Sequence, residues 1–115
     1  MATEQIVKWP FGPASEVAFT ATGAQAIKVE NDLTIIDGVS VIATGNRTLN
    51  LTIDDNLNAG ARLIVKAKTT GTETTICGTG ITGPTVTGVA GKTKVFEAVY
   101  DGTAFVVVGT EVQID

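Results

Sequence analysis

From Ala24 onward, apolar side chains recur at every second position, and that period leaves room for little besides β-strands. Ile27 and Val29 alternate with Lys28 and Glu30, and Leu49, Leu51 and Ile53 alternate with Asn50, Thr52 and Asp54. Successive side chains of a strand point to opposite faces, so each segment reads as a half-buried strand. Leu33-Thr34-Ile35-Ile36 and Val39-Ser40-Val41-Ile42 flank Asp37-Gly38. Asp-Gly tolerates the positive φ of a two-residue turn, so a hairpin is expected there. Asp54 to Gly60 supplies a further turn, and Ala61 to Ala67 returns as the next strand. No stretch reads as a helix longer than about two turns, because Gly, Pro or a Thr/Val cluster interrupts each one first. The expected fold class is all-β, an antiparallel β-sandwich or barrel-like domain over residues 24–115.

Residues 1–23 lack this period and read as an extended N-terminal arm. Within them Trp9-Pro10-Phe11-Gly12-Pro13 places two prolines where regular pairing would need backbone donors. The arm carries the only Trp of the chain, and two placements are open: folded back on its own domain, or laid on a neighbouring subunit. Residues 69–91 are rich in Thr and Gly, which favours short strands joined by tight turns.

The last hairpin is the most informative segment. Lys92 to Tyr100 and Thr103 to Gly109 flank Asp101-Gly102. A two-residue turn there pairs Ala98 with Phe105 and Phe96 with Val107. One face then carries Phe96, Ala98, Phe105 and Val107, and the other Val95, Val99, Val106 and Val108, with Glu97 its only charge. A solvated antiparallel hairpin is polar on one face. This one is apolar on both, so either a second sheet covers each face or a partner chain covers one of them. Val95, Val99, Val106 and Val108, with Trp9 and Phe11 of the arm, are the candidate interface.

Composition points the same way. Charged residues are 17% of the chain and hydrophobic residues 43%. Ordinary domains carry about a quarter charged residues. The net charge of −4 and the scatter of the eight Lys and Arg argue against nucleic acid as a partner. No apolar run reaches the roughly 18–20 residues that span a bilayer, so no membrane is expected. Met1-Ala2-Thr3-Glu4-Gln5 lacks the basic and apolar regions of a secretory leader, which places synthesis in a cytoplasm. The chain has no histidine, and with it go the usual general base at neutral pH and the commonest metal ligand. No enzyme activity, catalytic residue, metal or cofactor is expected.

The remaining motifs have structural explanations. Gly78-Thr79-Gly80-Ile81-Thr82-Gly83 spells a dinucleotide-binding string, but Pro84 follows and removes the helix whose N-terminus would meet a pyrophosphate. Asp32, Asp37, Asp54, Asp55 and Asp101 lack the alternating spacing of a calcium loop and read as turn residues. Asn46-Arg47-Thr48 and Asn50-Leu51-Thr52 match the glycosylation triplet, which has no use without a secretory route. Cys77 has no basic neighbour to lower its pKa and reads as a small core residue. For sugar stacking, Trp9 and Tyr100 are the available platforms.

Four segments together resemble a small β-domain that recurs in tailed-phage virion surface proteins. They are Thr48-Leu49-Asn50-Leu51, then Ala59-Gly60-Ala61-Arg62-Leu63-Ile64-Val65, then the Thr-rich stretch ending Ile76-Cys77-Gly78, and finally Val99-Tyr100-Asp101-Gly102-Thr103-Ala104-Phe105-Val106-Val107. In that family an aromatic, often Trp, follows the Asp-Gly-Thr turn one residue on, and Phe105 fills the place here. The resemblance covers slightly more than half the chain. It implies a virion location after synthesis in the host bacterial cytoplasm, and a homo-oligomer, usually a trimer. It also implies the major capsid protein or other virion proteins as partners. The short length and the lack of a repetitive shaft favour a capsid decoration or auxiliary protein over a head- or tail-fibre module that binds a host receptor or glycan.

Overall fold

The computed structural model describes residues 14–115, all of them in strands and their connections. The strands are β1 (Ala14–Ala18), β2 (Gly23–Val29), β3 (Leu33–Ala43), β4 (Arg47–Ile53), β5 (Arg62–Thr69), β6 (Thr74–Cys77), β7 (Ile81–Thr82), β8 (Val86–Thr87), β9 (Thr93–Tyr100) and β10 (Phe105–Gln113). They form a six-stranded sheet in the order β1-β3-β5-β9-β10-β7, which curls, and a four-stranded sheet in the order β2-β4-β6-β8. The all-β, two-layer reading holds.

Strand direction differs from the antiparallel expectation. The pairs β1·β3, β3·β5, β2·β4 and β4·β6 are all parallel. From β1 to β6 the chain alternates between the sheets, so each strand serves as the crossover that parallel neighbours require. The result is three stacked coils of two strands each. Antiparallel pairing begins only afterwards, where β8 closes on β6, β9 on β5 and β10 on β9. Period-two patterning dictates which side chains face inward but is silent on direction, and the Asp-Gly dipeptides supplied the antiparallel expectation.

Stacked coils set like residues in columns. Val17, Ile36, Val65 and Phe96 lie side by side across four strands of the larger sheet, and Ile27 stands beside Leu51 in the smaller. With Phe19, Val29, Leu49, Leu63, Ala98 and Phe105 they make one core between the sheets. Burial of such side chains is worth about 1.5–3 kcal/mol each.

Asp37-Gly38 is not a hairpin. β3 runs straight through it, with Asp37 opposite Lys66 and Gly38 opposite Ala67. Between the pairs Gly38–Ala67 and Ala43–Thr69, β3 advances five residues and β5 two, so β3 bulges. Asp37 Oδ1 accepts the backbone N–H groups of Val39 and Ser40 and holds the bulge locally. The glycine answers a different need: a Cβ at 38 would lie 2.5 Å from the Lys66 carbonyl oxygen.

Arg47 fills the space beneath this bulge. Its side chain is fully buried, and its guanidinium donates to the carbonyls of Thr20 (3.4 Å), Gly38 (3.5 Å), Val41 (3.0 Å) and Lys68 (3.1 Å). The Phe19 ring lies 4.5 Å from its central carbon, in cation–π contact. One side chain thus ties the β1–β2 connection, β3 and β5 together.

The last hairpin keeps its faces and shifts its register. Tyr100 pairs with Phe105 and Ala98 with Val107, two residues from the two-residue-turn alignment. The turn is longer because Asp101 Oδ1 accepts the N–H groups of Thr103 (2.8 Å) and Ala104 (2.9 Å). An even shift preserves which residues share a face. Of the segment read as an arm, Ala14–Ala18 belong to the larger sheet as β1, and Trp9 and Phe11 lie outside the described residues.

Candidate functional site

The larger sheet has an inner face on the core and an outer face on solvent. Outward rows run across it: Leu33, Arg62, Val99 and Val106 in one, Ile35, Ile64, Glu97 and Val108 in the next, and Lys66, Val95 and Val112 in the third. Val106, Val108, Val112 and Ile114 are 38%, 45%, 59% and 61% exposed, while Val95, Val99 and Ile64 are half-buried. A single exposed valine is ordinary; a contiguous apolar surface marks a contact site. A shallow groove of about 330 Å³ runs across it, lined by Ile64, Val95, Val108, Thr110, Val112 and Ile114.

Two of the charges on this face, Arg62 and Glu97, neutralise one another, and Lys66 of the third row stands opposite Asp37 of β3. Arg62 Nε donates to Glu97 Oε2 across the β5–β9 ladder, and that bond raises the Arg62 pKa. An exposed pair of this kind adds little stability, at most about 1 kcal/mol. Its consequence lies elsewhere, since a partner covering the face meets a paired charge instead of two bare ones.

Val95, Val99, Val106 and Val108, chosen from the sequence, are brought together on this one face. Val112 and Ile114 extend it beyond Gly109, where the sequence pattern alone ends the strand. The signal was present in Glu111-Val112-Gln113-Ile114, where the period of two resumes after a bulge: from Val108 to Val112 β10 advances four residues and β9 two. Ile35 and Ile64 were missed because their side of the sheet depends on the parallel stacking.

Tyr100 sits elsewhere. It packs against the core, with its ring centroid 5.3 Å from that of Phe105, and its hydroxyl donates to the Gly102 carbonyl at 2.9 Å. Both the ring and the hydroxyl are engaged by its own hairpin. Cys77 is half-buried, its sulfur 3.9 Å from the Pro84 carbonyl, and burial pushes its thiol pKa up, away from nucleophilic character. Asn46 Oδ1 accepts the Thr74 N–H and Asn50 Oδ1 that of Thr79, so both amides stitch neighbouring coils. The Gly78–Gly83 string forms a turn and the two-residue β7. Among the described residues no three acidic or cysteine side chains gather in a metal-binding group. A second cleft, of about 320 Å³, lies where Asp32 and Leu33 meet residues 58–62 and carries no titratable cluster.

No protein-family model, curated protein or solved structure matches this chain.

Proposed function

We propose that this chain is a non-enzymatic virion structural protein, a decoration or auxiliary protein that binds a phage head and stabilises it. The observation that carries the reading is the outer face of the larger sheet, where valines and isoleucines are left in solvent by a fold whose core is already complete. A small domain gains nothing from such a surface in isolation, and a protein that works by covering and being covered does. The family resemblance of the four segments from Thr48 to Val107 supplies the setting. The partners are then the major capsid protein or other virion proteins, together with further copies of the chain, and the location is the capsid surface.

The mechanism is mass action. A subunit that binds only the assembled shell stabilises it by an amount set by affinity and free concentration. Many copies on a lattice, linked through one another, add avidity. Quantitative mass spectrometry of purified particles tests the reading. Hundreds of copies per particle are expected; a few copies would indicate a fibre module instead, and none would end the viral reading. The glycan-binding alternative has less support, since Tyr100 is engaged in its own hairpin.

A further inference from the structure

We infer that the N-terminal arm folds back on its own domain and seats Trp9 and Phe11 in the cleft between the start of β3 and the start of β5. The occupant is residues 1–13 of the same chain, which lie outside the described residues. β1 pairs with β3 in parallel from Ala14 opposite Leu33, so the chain before Ala14 leaves the sheet at the end where Asp32 and residues 58–62 lie. Leu33 of the cleft stands one strand from Ala14, and Arg62 two. Neighbouring strands are about 4.8 Å apart, which puts the cleft within about 5–10 Å of Ala14. Three residues back, Phe11 reaches about 10 Å, and Trp9, five back, about 17 Å.

The groove of the outer face is beyond that reach. It lies mainly on β9 and β10, three and four strands from β1, or about 14–19 Å along the sheet. It also lies toward the rows of Glu97 and Val95, the direction in which β1 runs, whereas residues before Ala14 leave the opposite way. An arm crossing to it has to reverse and then span more than Trp9 allows. A short tether gives an effective concentration on the order of millimolar, so the near cleft fills in cis before the arm of a second copy competes. With the arm seated there, the outer valines stay free for a partner.

The cleft suits aromatic side chains in size and lining. It offers about 320 Å³, and its lining is small or apolar at Leu33, Ala59, Gly60 and Ala61. A Cβ at Gly60 would meet nothing within 4 Å, so the backbone there is uncovered and a flat ring can lie on it. A buried indole N–H needs an acceptor, and the Asp32 carboxylate lines the same cleft with no ion pair among the described residues. Lys8, beside Trp9, brings the opposite charge, while Arg62 is already engaged by Glu97. Pro10 and Pro13 lack N–H groups and fix φ, so the segment docks through side chains instead of adding a strand to β1, and ordering it costs less entropy.

Trp9 is the only Trp of the chain, so its fluorescence reports the docking directly. In the full-length protein its emission is expected to be blue-shifted and shielded from acrylamide, equally in dilute and concentrated solution. Ala59→Lys, with its β-sheet circular dichroism intact, is expected to return the emission to that of the unfolded chain, and Val108→Lys to leave it unchanged. A second measurement leaves the domain untouched. With Trp9→Ala and Phe11→Ala together, ring currents are lost, and the backbone amide NMR signals of residues 58–62 are expected to shift while those of 108–114 stay. The placement is overturned by solvent-like emission in the parent, by emission unmoved in Ala59→Lys, or by amide shifts that miss 58–62. Emission that turns blue only as concentration rises overturns it in favour of a second copy's arm, and amide shifts at 108–114 in favour of the outer groove. Shell binding is scored by copies per particle, so the two readings fail separately.

Discussion

Arg47 is a charge sealed from water with no carboxylate in hydrogen-bond contact; its partners are carbonyl dipoles freed where β3 bulges away from β5. Burial lowers its pKa, and the more distant Glu73 opposes that shift. The planar fork is what reaches carbonyls on separate elements at once, and a lysine ammonium presents a compact point charge in its place. Arg47→Lys is therefore expected to cost about 3 kcal/mol in denaturant unfolding, since charged hydrogen bonds are worth roughly 1.5–3 kcal/mol and several are lost together. A change below about 0.5 kcal/mol, the scatter of surface substitutions, would show that the carbonyls find water instead. Acid stability is set at the same scale. Hydrogen bonds from Ser40 and from the Val39 and Ser40 backbone lower the Asp37 pKa from 3.8 to about 2, and similar bonds lower Glu73, Asp101 and Asp115. A depressed carboxylate stabilises the fold above its unfolded pKa and loses that contribution as pH falls through the folded one. With no histidine in the chain, melting temperature is expected to be flat from about pH 5 to 7 and to fall between about pH 4 and 2. A melting curve that shifts between pH 6 and 7 would contradict it.

Strands show how far a period of two carries an inference and where it stops. The inward sets Ile27 and Val29, Leu49 and Leu51, and Phe96 and Ala98 were legible because burial alternates with the pleat. So was the doubly apolar character of the last hairpin. Direction was not legible, because a parallel stack and a meander bury the same alternate residues. Asp37-Gly38 marks the failure most clearly: the dipeptide that favours a tight turn also suits a bulge where two backbones approach. The two readings predict different mutants. In a turn, Gly38→Asn would be tolerated, since Asn adopts positive φ well. In the strand, Gly38 has no positive φ, and even Gly38→Ala drives a Cβ toward the Lys66 carbonyl and to 2.9 Å from the Arg47 guanidinium. Both substitutions are expected to cost about 2 kcal/mol, the range of overpacked sites, measured as a lower denaturation midpoint at unchanged slope. Turn chemistry was legible in kind at Asp101 but not in length. Asp101→Ala removes the acceptor of two backbone N–H groups and is expected to lower the denaturation midpoint less than Gly38→Ala does, read by the same unfolding curve.

At the scale of the whole molecule the two sheets differ in what they owe to folding. Their inner faces meet in one core, and that core is complete without Val106 or Val108. The outer valines therefore add little to the stability of the monomer and much to whatever covers them. Val106→Lys with Val108→Lys separates these contributions. Each valine loses part of its burial against β9, and Val106 also its place beside β7, while the lysine stems keep some of that cover, so the monomer is expected to lose about 1 kcal/mol. Covering the two side chains is worth about 3 kcal/mol together, so the concentration that half-fills purified shells is expected to rise about a hundredfold. Phe96→Ala, one strand over and facing inward, is the opposite case, expected to cost about 3–5 kcal/mol of folding stability. If the double lysine variant unfolds as readily as Phe96→Ala, the outer face belongs to the fold and not to a partner. If it folds and still coats shells at parental occupancy, contact runs through some other surface.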